Sequence, residues 1–144
     1  MKRIVFVCTG NTCRSPMAEK IFQHVTNGYE VRSRGLFAMD GAPAAEHAVV
    51  VLGEAGIPAS HVSKALSEED MVWATHVIGM TADHVALLQA HYPHMSDKLY
   101  TLKGAVGEAG SVSDPYGGSI DTYRQTFAEL ERLLQKLAVK LDKA

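Results

Sequence analysis

Cysteine is scarce in this chain: Cys8 and Cys13 are the only two, and none follows Cys13. A disulfide between residues so close together would close too small a ring to staple a fold, and their spacing matches no zinc pattern. A disulfide-held scaffold and a zinc ribbon are excluded, and no metal or cofactor is implied. Long apolar runs are also missing. Behind Met1-Lys2-Arg3 stands only Ile4-Val5-Phe6-Val7 before polar residues resume. That run is too short for a signal peptide or a spanning helix, so the expectation is a cytoplasmic protein with no membrane partner. An excess of positive charge is absent too: 14 Lys and Arg against 16 Asp and Glu give a net charge of −2. No basic field exists to attract nucleic acid, and any anion site must be built locally. There is no repeat, linker or low-complexity tract. The 144 residues, 47% of them hydrophobic, suffice for one domain with a real core, expected to span 1–144.

What is present is an alternation of short strands and helices. Ile4-Val5-Phe6-Val7 reads as a strand buried on both faces. From Pro16, the residues Met17, Ala18, Ile21, Phe22 and Val25 recur at helical spacing until Asn27-Gly28. Tyr29 to Ser33 reads as a second strand, and Pro43 to about Glu54 as an Ala/Val-rich helix. Ser67-Glu68-Glu69-Asp70 opens a short helix through a capping box. His76 to Met80 forms a third strand, Thr81 caps a helix to about Tyr92, and Lys98 to Leu102 forms a fourth strand. A polar, glycine-rich connection covers Lys103 to Gly118. An amphipathic helix then runs from Ile120 to Leu141 with Tyr123, Phe127, Leu130, Leu134, Leu137 and Leu141 on one stripe. The expected fold is α/β: a three-layer, doubly wound sheet of four parallel strands flanked by helices, with right-handed crossovers and a site beyond the strands' carboxyl ends.

The chemistry concentrates in Val7-Cys8-Thr9-Gly10-Asn11-Thr12-Cys13-Arg14-Ser15-Pro16, a strand end, a tight loop and a helix start. Such a loop can curl so that backbone N–H groups converge, and the helix adds the positive end of its dipole. A tetrahedral oxyanion fits that cradle, which also favours the thiolate of Cys8. A thiolate there attacks phosphorus and forms a covalent phosphoenzyme. Arg14 offers a planar fork for two phosphoryl oxygens. Ser15 can donate to the sulfur, Gly10 permits close approach, and Asn11 tolerates the left-handed backbone. Asp114, before Pro115 in the late loop, is the candidate proton donor and acceptor; read alone, an aspartate in such a stretch is more often a turn former, and the pairing with the Cys8 to Arg14 loop raises it. Leu36, Phe37 and Met39 are pocket walls or a small contact patch. The six histidines other than His61 show no ligand spacing, and most of them are expected to face solvent.

The loop Cys8 to Pro16 at the start of the chain, together with Asp114-Pro115-Tyr116 near its end, resembles the low-molecular-weight protein tyrosine phosphatases over essentially the whole chain. The resemblance implies that Cys8 is the nucleophile, Arg14 the phosphate-binding arginine, and Asp114 the general acid and base. Thr9, Gly10, Asn11, Thr12, Cys13, Ser15 and Tyr116 would line or shape the substrate site. Ser33 and His61 match a serine and a histidine that brace the loop asparagine, and Cys13 matches a cysteine that pairs reversibly with the nucleophile under oxidation. Two positions depart from the common pattern, Thr12 and Gly117. With Asp114-Pro115-Tyr116-Gly117-Gly118-Ser119 they resemble the bacterial protein-arginine phosphatases. A phosphorylated guanidinium presents N–H groups that the Thr12 hydroxyl and the Asp114 carboxylate can accept, while Tyr116 stacks on its plane. The expected partners are arginine-phosphorylated proteins, with tyrosine-phosphorylated proteins the alternative, acted on by a monomer. An arsenate reductase needs further resolving cysteines that this chain lacks. The non-enzymatic alternative is a redox-sensing or anion-binding module built on Cys8 and Cys13.

Overall fold

Ile4 to Val7, flanked by apolar neighbours on every side, become the middle of strand β1 (Arg3–Cys8) in a computed structural model that describes residues 2–143. β1 pairs in parallel with β2 (Glu30–Gly35) on one side and β3 (His76–Gly79) on the other. β3 in turn pairs with β4 (Leu99–Thr101), giving the all-parallel order β2-β1-β3-β4. Alternation along β1 divides the core. Ile4, Phe6 and Cys8 pack with α1 (Arg14–Val25), α2 (Glu46–Glu54) and α6 (Ile120–Lys143), whereas Val5 and Val7 pack with α3 (Glu68–Trp73) and α4 (Ala82–His91). This is the three-layer arrangement expected from the alternating pattern. Strand order reverses between β1 and β3, the place where open parallel sheets bind ligands, and the Cys8 loop leaves β1 there. Among the described residues, no helix is long and apolar enough to cross a membrane.

Several element boundaries differ from the sequence expectation, each for a physical reason. α1 begins at Arg14 rather than Pro16; the first turn's N–H groups have no intrahelical partner, so proline is tolerated at the third position as well as the first. α2 begins at Glu46 rather than Pro43, because Pro43 forms an antiparallel bridge with Val62 and Ser63 N–H donates to Ala42 O at 2.7 Å. The connection after β4 is not all loop. Thr101 Oγ1 accepts from Gly104 N–H at 2.9 Å and caps a four-residue helix, α5 (Leu102–Ala105), which buries Leu102. A 3₁₀ segment, Pro93–Lys98, precedes β4. Both expected caps form: Ser67 with Asp70 opens α3, and Thr81 with His84 opens α4.

β2 runs two residues past Ser33, to Gly35, which lies opposite Cys8. A Cβ there would sit 2.7 Å from Ala38 Cβ, 2.8 Å from Thr9 O and 2.9 Å from Asn11 N, so only glycine lets the loop rest on β2. Gly35→Ala is expected to destabilise the fold by roughly 1–3 kcal/mol through overpacking, read as a lowered denaturation midpoint. A second expectation comes from His84, whose ring is held neutral, with its protonation lowered to about 4 by burial first and then by Arg14, against the opposing pull of Asp83 and Asp114. An unfolded histidine protonates near 6.5. Between the two values the unfolded chain binds more protons, so this stability is present above about 6.5 and is lost as pH falls through about 4. Denaturation from pH 7 to 4 will show a steeper loss in the native protein than in His84→Asn, which keeps a capping acceptor without a titrating ring.

Candidate active site

Asn11 gives the loop its shape. It is fully buried, with φ of 57°, a left-handed backbone that asparagine adopts more readily than most residues. Its carbonyl accepts from Ser63 Oγ at 2.7 Å and faces His61 Nε2 at 2.8 Å; its Oδ1 accepts from Lys64 N–H at 2.9 Å, and its Nδ2 donates to Ser15 Oγ at 2.9 Å. The loop is fastened at further points. Leu36 N–H donates to Cys8 O, Phe37 N–H to Thr9 O, and Ala45 N–H to Thr12 O, at 3.0, 2.9 and 2.8 Å. Cys13 occupies the N-cap position of α1, and no side chain caps the helix's first turn. Those N–H groups and the positive helix end are directed at the loop, where an anion would complete them.

Cys8 ends β1, buried, with its sulfur 2.9 Å from Ser15 Oγ. Ser15 Oγ already accepts the Asn11 amide, so its own proton is available to the sulfur, which is closer than the alternative acceptor, Arg34 O at 3.4 Å. That bond stabilises negative charge on sulfur. Arg14 stands in the first turn of α1 and is 5% exposed. Its guanidinium is held from the late loop: one nitrogen donates to Val112 O at 3.1 Å, and another lies 3.5 Å from an Asp114 carboxylate oxygen. Val112 N–H donates to Met80 O at 2.9 Å, which ties that loop to the end of β3. Asp114 is half exposed, and its other oxygen accepts from Tyr116 N–H at 3.0 Å. It is therefore both the turn former and the carboxylate over the site.

Cys8, Thr9, Gly10, Thr12, Cys13, Arg14, Asp114 and Tyr116 line one cavity of about 220 Å³. The sequence-predicted residues are thus brought together from opposite ends of the chain. Tyr116 is 78% exposed and forms a wall open to solvent. Asn11 and Ser15 lie beneath the cavity rather than in its lining. Phe37 and Met39, 70% and 80% exposed, are surface groups outside that lining, while Leu36 packs against the α3–α4 core. Cys8 and Cys13 are both free thiols, and Cys13 Sγ lies 3.3 Å from the Tyr123 hydroxyl. Burial and the contact with Cys13 hold that phenol well above its usual range, so it stays protonated.

Two expectations about supporting residues divide. His61 does meet Asn11, whereas Ser33 does not: its hydroxyl donates to Glu19 at 2.8 Å, and Glu19 in turn approaches His61 Nδ1 at 4.0 Å. Ser33 is one step behind the brace, and Ser63, not singled out in the sequence, takes the direct position. Most of the remaining histidines face solvent, as expected, but His84 does not: it is 5% exposed and lies 3.0 Å from Thr9 Oγ1. The signal that could have found it is its place three residues after the capping Thr81, just beyond the carboxyl end of β3. Among the described residues, no cluster of His, Cys, Asp and Glu is placed to hold a metal ion.

Comparison with known proteins agrees with this geometry. A protein-arginine-phosphatase of Geobacillus stearothermophilus is 48% identical over 142 residues, covering 97% of this chain and 96% of the relative. The low molecular weight protein-tyrosine-phosphatase PtpB of Staphylococcus haemolyticus is 45% identical over 135 residues, covering 94% and 96%. The solved structure of a YwlE arginine phosphatase, a Cys-to-Ser mutant with a phosphorylated active-site serine, superposes with a TM-score of 0.96 at 46% identity, over 98% of this chain and 96% of that one. Residues 3–144 match the family described as low molecular weight phosphotyrosine protein phosphatase. The chain belongs to that family.

Proposed function

We propose that the protein removes phosphate from phosphoarginine residues of proteins, through a phosphocysteine on Cys8. The observation that carries this reading is the shared cavity in which Thr12 and Asp114 stand with Cys8 and Arg14. An aryl phosphate would meet an apolar wall best; a guanidinium brings N–H donors that the Thr12 hydroxyl and an Asp114 carboxyl oxygen can accept, and discrimination is strong where buried polar groups must be matched. Tyr116 offers a face on which the guanidinium plane stacks. The protein-arginine-phosphatase relative supports the same choice.

In the first step the Cys8 thiolate attacks phosphorus in line with the P–N bond. The S–P bond forms, the P–N bond breaks, and its electron pair goes to the guanidine nitrogen, which takes a proton from Asp114 in its carboxylic acid form, the form that the second step regenerates. Arg14 and the loop N–H groups hold the equatorial oxygens as charge spreads over them. Arg14 is released for this by exchanging its Asp114 contact, at 3.5 Å, for the phosphoryl group. In the second step Asp114 takes a proton from water, the oxygen attacks phosphorus, and the S–P bond breaks. The sulfur leaves as a thiolate beside the Ser15 hydroxyl, at 2.9 Å, and inorganic phosphate departs. The phosphorylated serine of the mutant YwlE structure supports a covalent intermediate at a loop cysteine.

The catalytic unit is read as one domain over the whole chain, a reading supported by the family match to residues 3–144, and as cytoplasmic, supported by its two free thiols. A second reading, a tyrosine phosphatase serving the same chemistry, is favoured by the PtpB relative. The two separate by kcat/KM on an arginine-phosphorylated protein and on a phosphotyrosine peptide. The native enzyme is expected to prefer the former. Thr12→Ile should lower its phosphoarginine kcat/KM by about 10–100-fold while sparing phosphotyrosine, the size expected when a buried polar match is removed. A native preference for phosphotyrosine overturns the arginine reading.

A further inference from the structure

Thr9 faces two ways. It is exposed at the cavity lining, while its hydroxyl oxygen lies 3.0 Å from His84 Nε2 on α4. The other ring nitrogen of His84, Nδ1, accepts the backbone N–H of Thr81 at 3.2 Å, half of the capping box that opens the helix. A nitrogen that accepts from an N–H carries no proton, so the neutral ring must carry its proton on Nε2. Nε2–H therefore donates to Thr9 Oγ1. A hydroxyl whose oxygen accepts from a ring N–H keeps its own proton to give, and the groups left for it lie in the cavity that also holds Cys8 and Arg14.

We infer that His84 is a positioning residue: it locks the Thr9 hydroxyl as a donor toward a phosphoryl oxygen held in the loop. The inference rests on the phosphatase reading and adds to it a donor from the β3–α4 side of the sheet, opposite in origin to the Ser15 and Asn11 set on α1 and the loop. The capping box makes the lock directional. The Thr81 N–H fixes which nitrogen of His84 accepts, hence which one donates, and the ring conveys that choice to Thr9. The charged groups that face His84 are Arg14 from α1, Asp83 from α4 and Asp114 from the late loop. Burial and Arg14 disfavour the imidazolium, whose Nδ1–H would oppose the Thr81 N–H and undo the cap.

His84→Asn separates the two duties of the ring. Its side-chain oxygen can still accept the Thr81 N–H, as the Asp70 carboxylate accepts the Ser67 N–H at 3.1 Å in the other capping box, but it has no group that reaches Thr9. Thr9→Val removes the hydroxyl at nearly constant volume, and Thr9→Ser keeps it. The dissociation constant of inorganic phosphate, with kcat and KM on para-nitrophenyl phosphate, is to be measured for these and for the double variant. His84→Asn and Thr9→Val should each weaken phosphate binding about ten- to a hundredfold, the range of one hydrogen bond to a charged group. The double variant should be no weaker than Thr9→Val, and Thr9→Ser should match the native protein. Native phosphate binding in His84→Asn, or losses that multiply in the double variant, overturns the inference. Nitrogen NMR of the native protein provides a check that depends on no variant: His84 must be the Nε2–H tautomer, and the Nδ1–H tautomer refutes the lock. A native protein that neither binds phosphate nor turns over the aryl phosphate refutes the phosphatase reading itself, whereas native turnover with indifferent variants refutes only the role of His84.

Discussion

The active-site loop depends on one buried amide. Asn11 holds its backbone at φ 57° while its carbonyl and side chain engage Ser63, His61, Lys64 and Ser15. The conformation is unfavourable for most L-residues, and each polar group is placed where losing its partner would cost about 1–3 kcal/mol. Those contacts come from the Arg14 helix on one side and from the 61–64 segment on the other. The turn of the loop is thereby set by tertiary structure rather than by its own five residues. Everything that needs the loop follows from this: the direction of the N–H groups, the path by which Cys8 leaves β1, and the donation from Ser15 to the sulfur.

The second constraint is electrostatic. Arg14 is buried, and a buried guanidinium requires partners. Val112 O and Asp114 supply them from a loop almost a hundred residues away, itself fastened to β3 through Met80 O. The arginine that would hold phosphate is thus the same group that holds the carboxylate near the site. A phosphoryl dianion bound in the loop would compete for the guanidinium and free Asp114 for the proton transfer proposed for it. Tyr116 follows two residues after Asp114 in a turn closed by the aspartate's own side chain, so the carboxyl proposed to carry the proton and the solvent-facing wall are held together.

How much of this was visible in the residue order depends on how local the cause was. β1 was legible because four consecutive apolar residues had to be buried on both faces, and they are. The caps at Ser67 and Thr81 were legible because a capping box is written within four residues. The Cys8 to Arg14 loop and Asp114 were found because their residue types make chemical sense only together, and one cavity brings them together. What escaped was set by partners distant in sequence. Pro43 looked like a helix start until Val62 took it into a bridge. Leu102–Ala105 was hidden by its length, since four residues show no periodicity. Ser33 matches a residue that braces the loop asparagine, but its hydroxyl finds Glu19. His84 looked like one more scattered histidine because the burial that makes it matter is created by the packing of α4 against the loop.

The central claim, that the bonds made by the Asn11 side chain hold the loop in its anion-binding form, is tested most directly by phosphate affinity in Asn11→Gly. Glycine accepts the left-handed backbone without strain, so this variant removes the side-chain bonds and leaves the conformation permitted. The account predicts a folded protein whose dissociation constant for inorganic phosphate is raised by about tenfold or more, the equivalent of at least one lost charge-assisted hydrogen bond. Native phosphate affinity in Asn11→Gly would contradict it, by showing that the backbone conformation alone suffices.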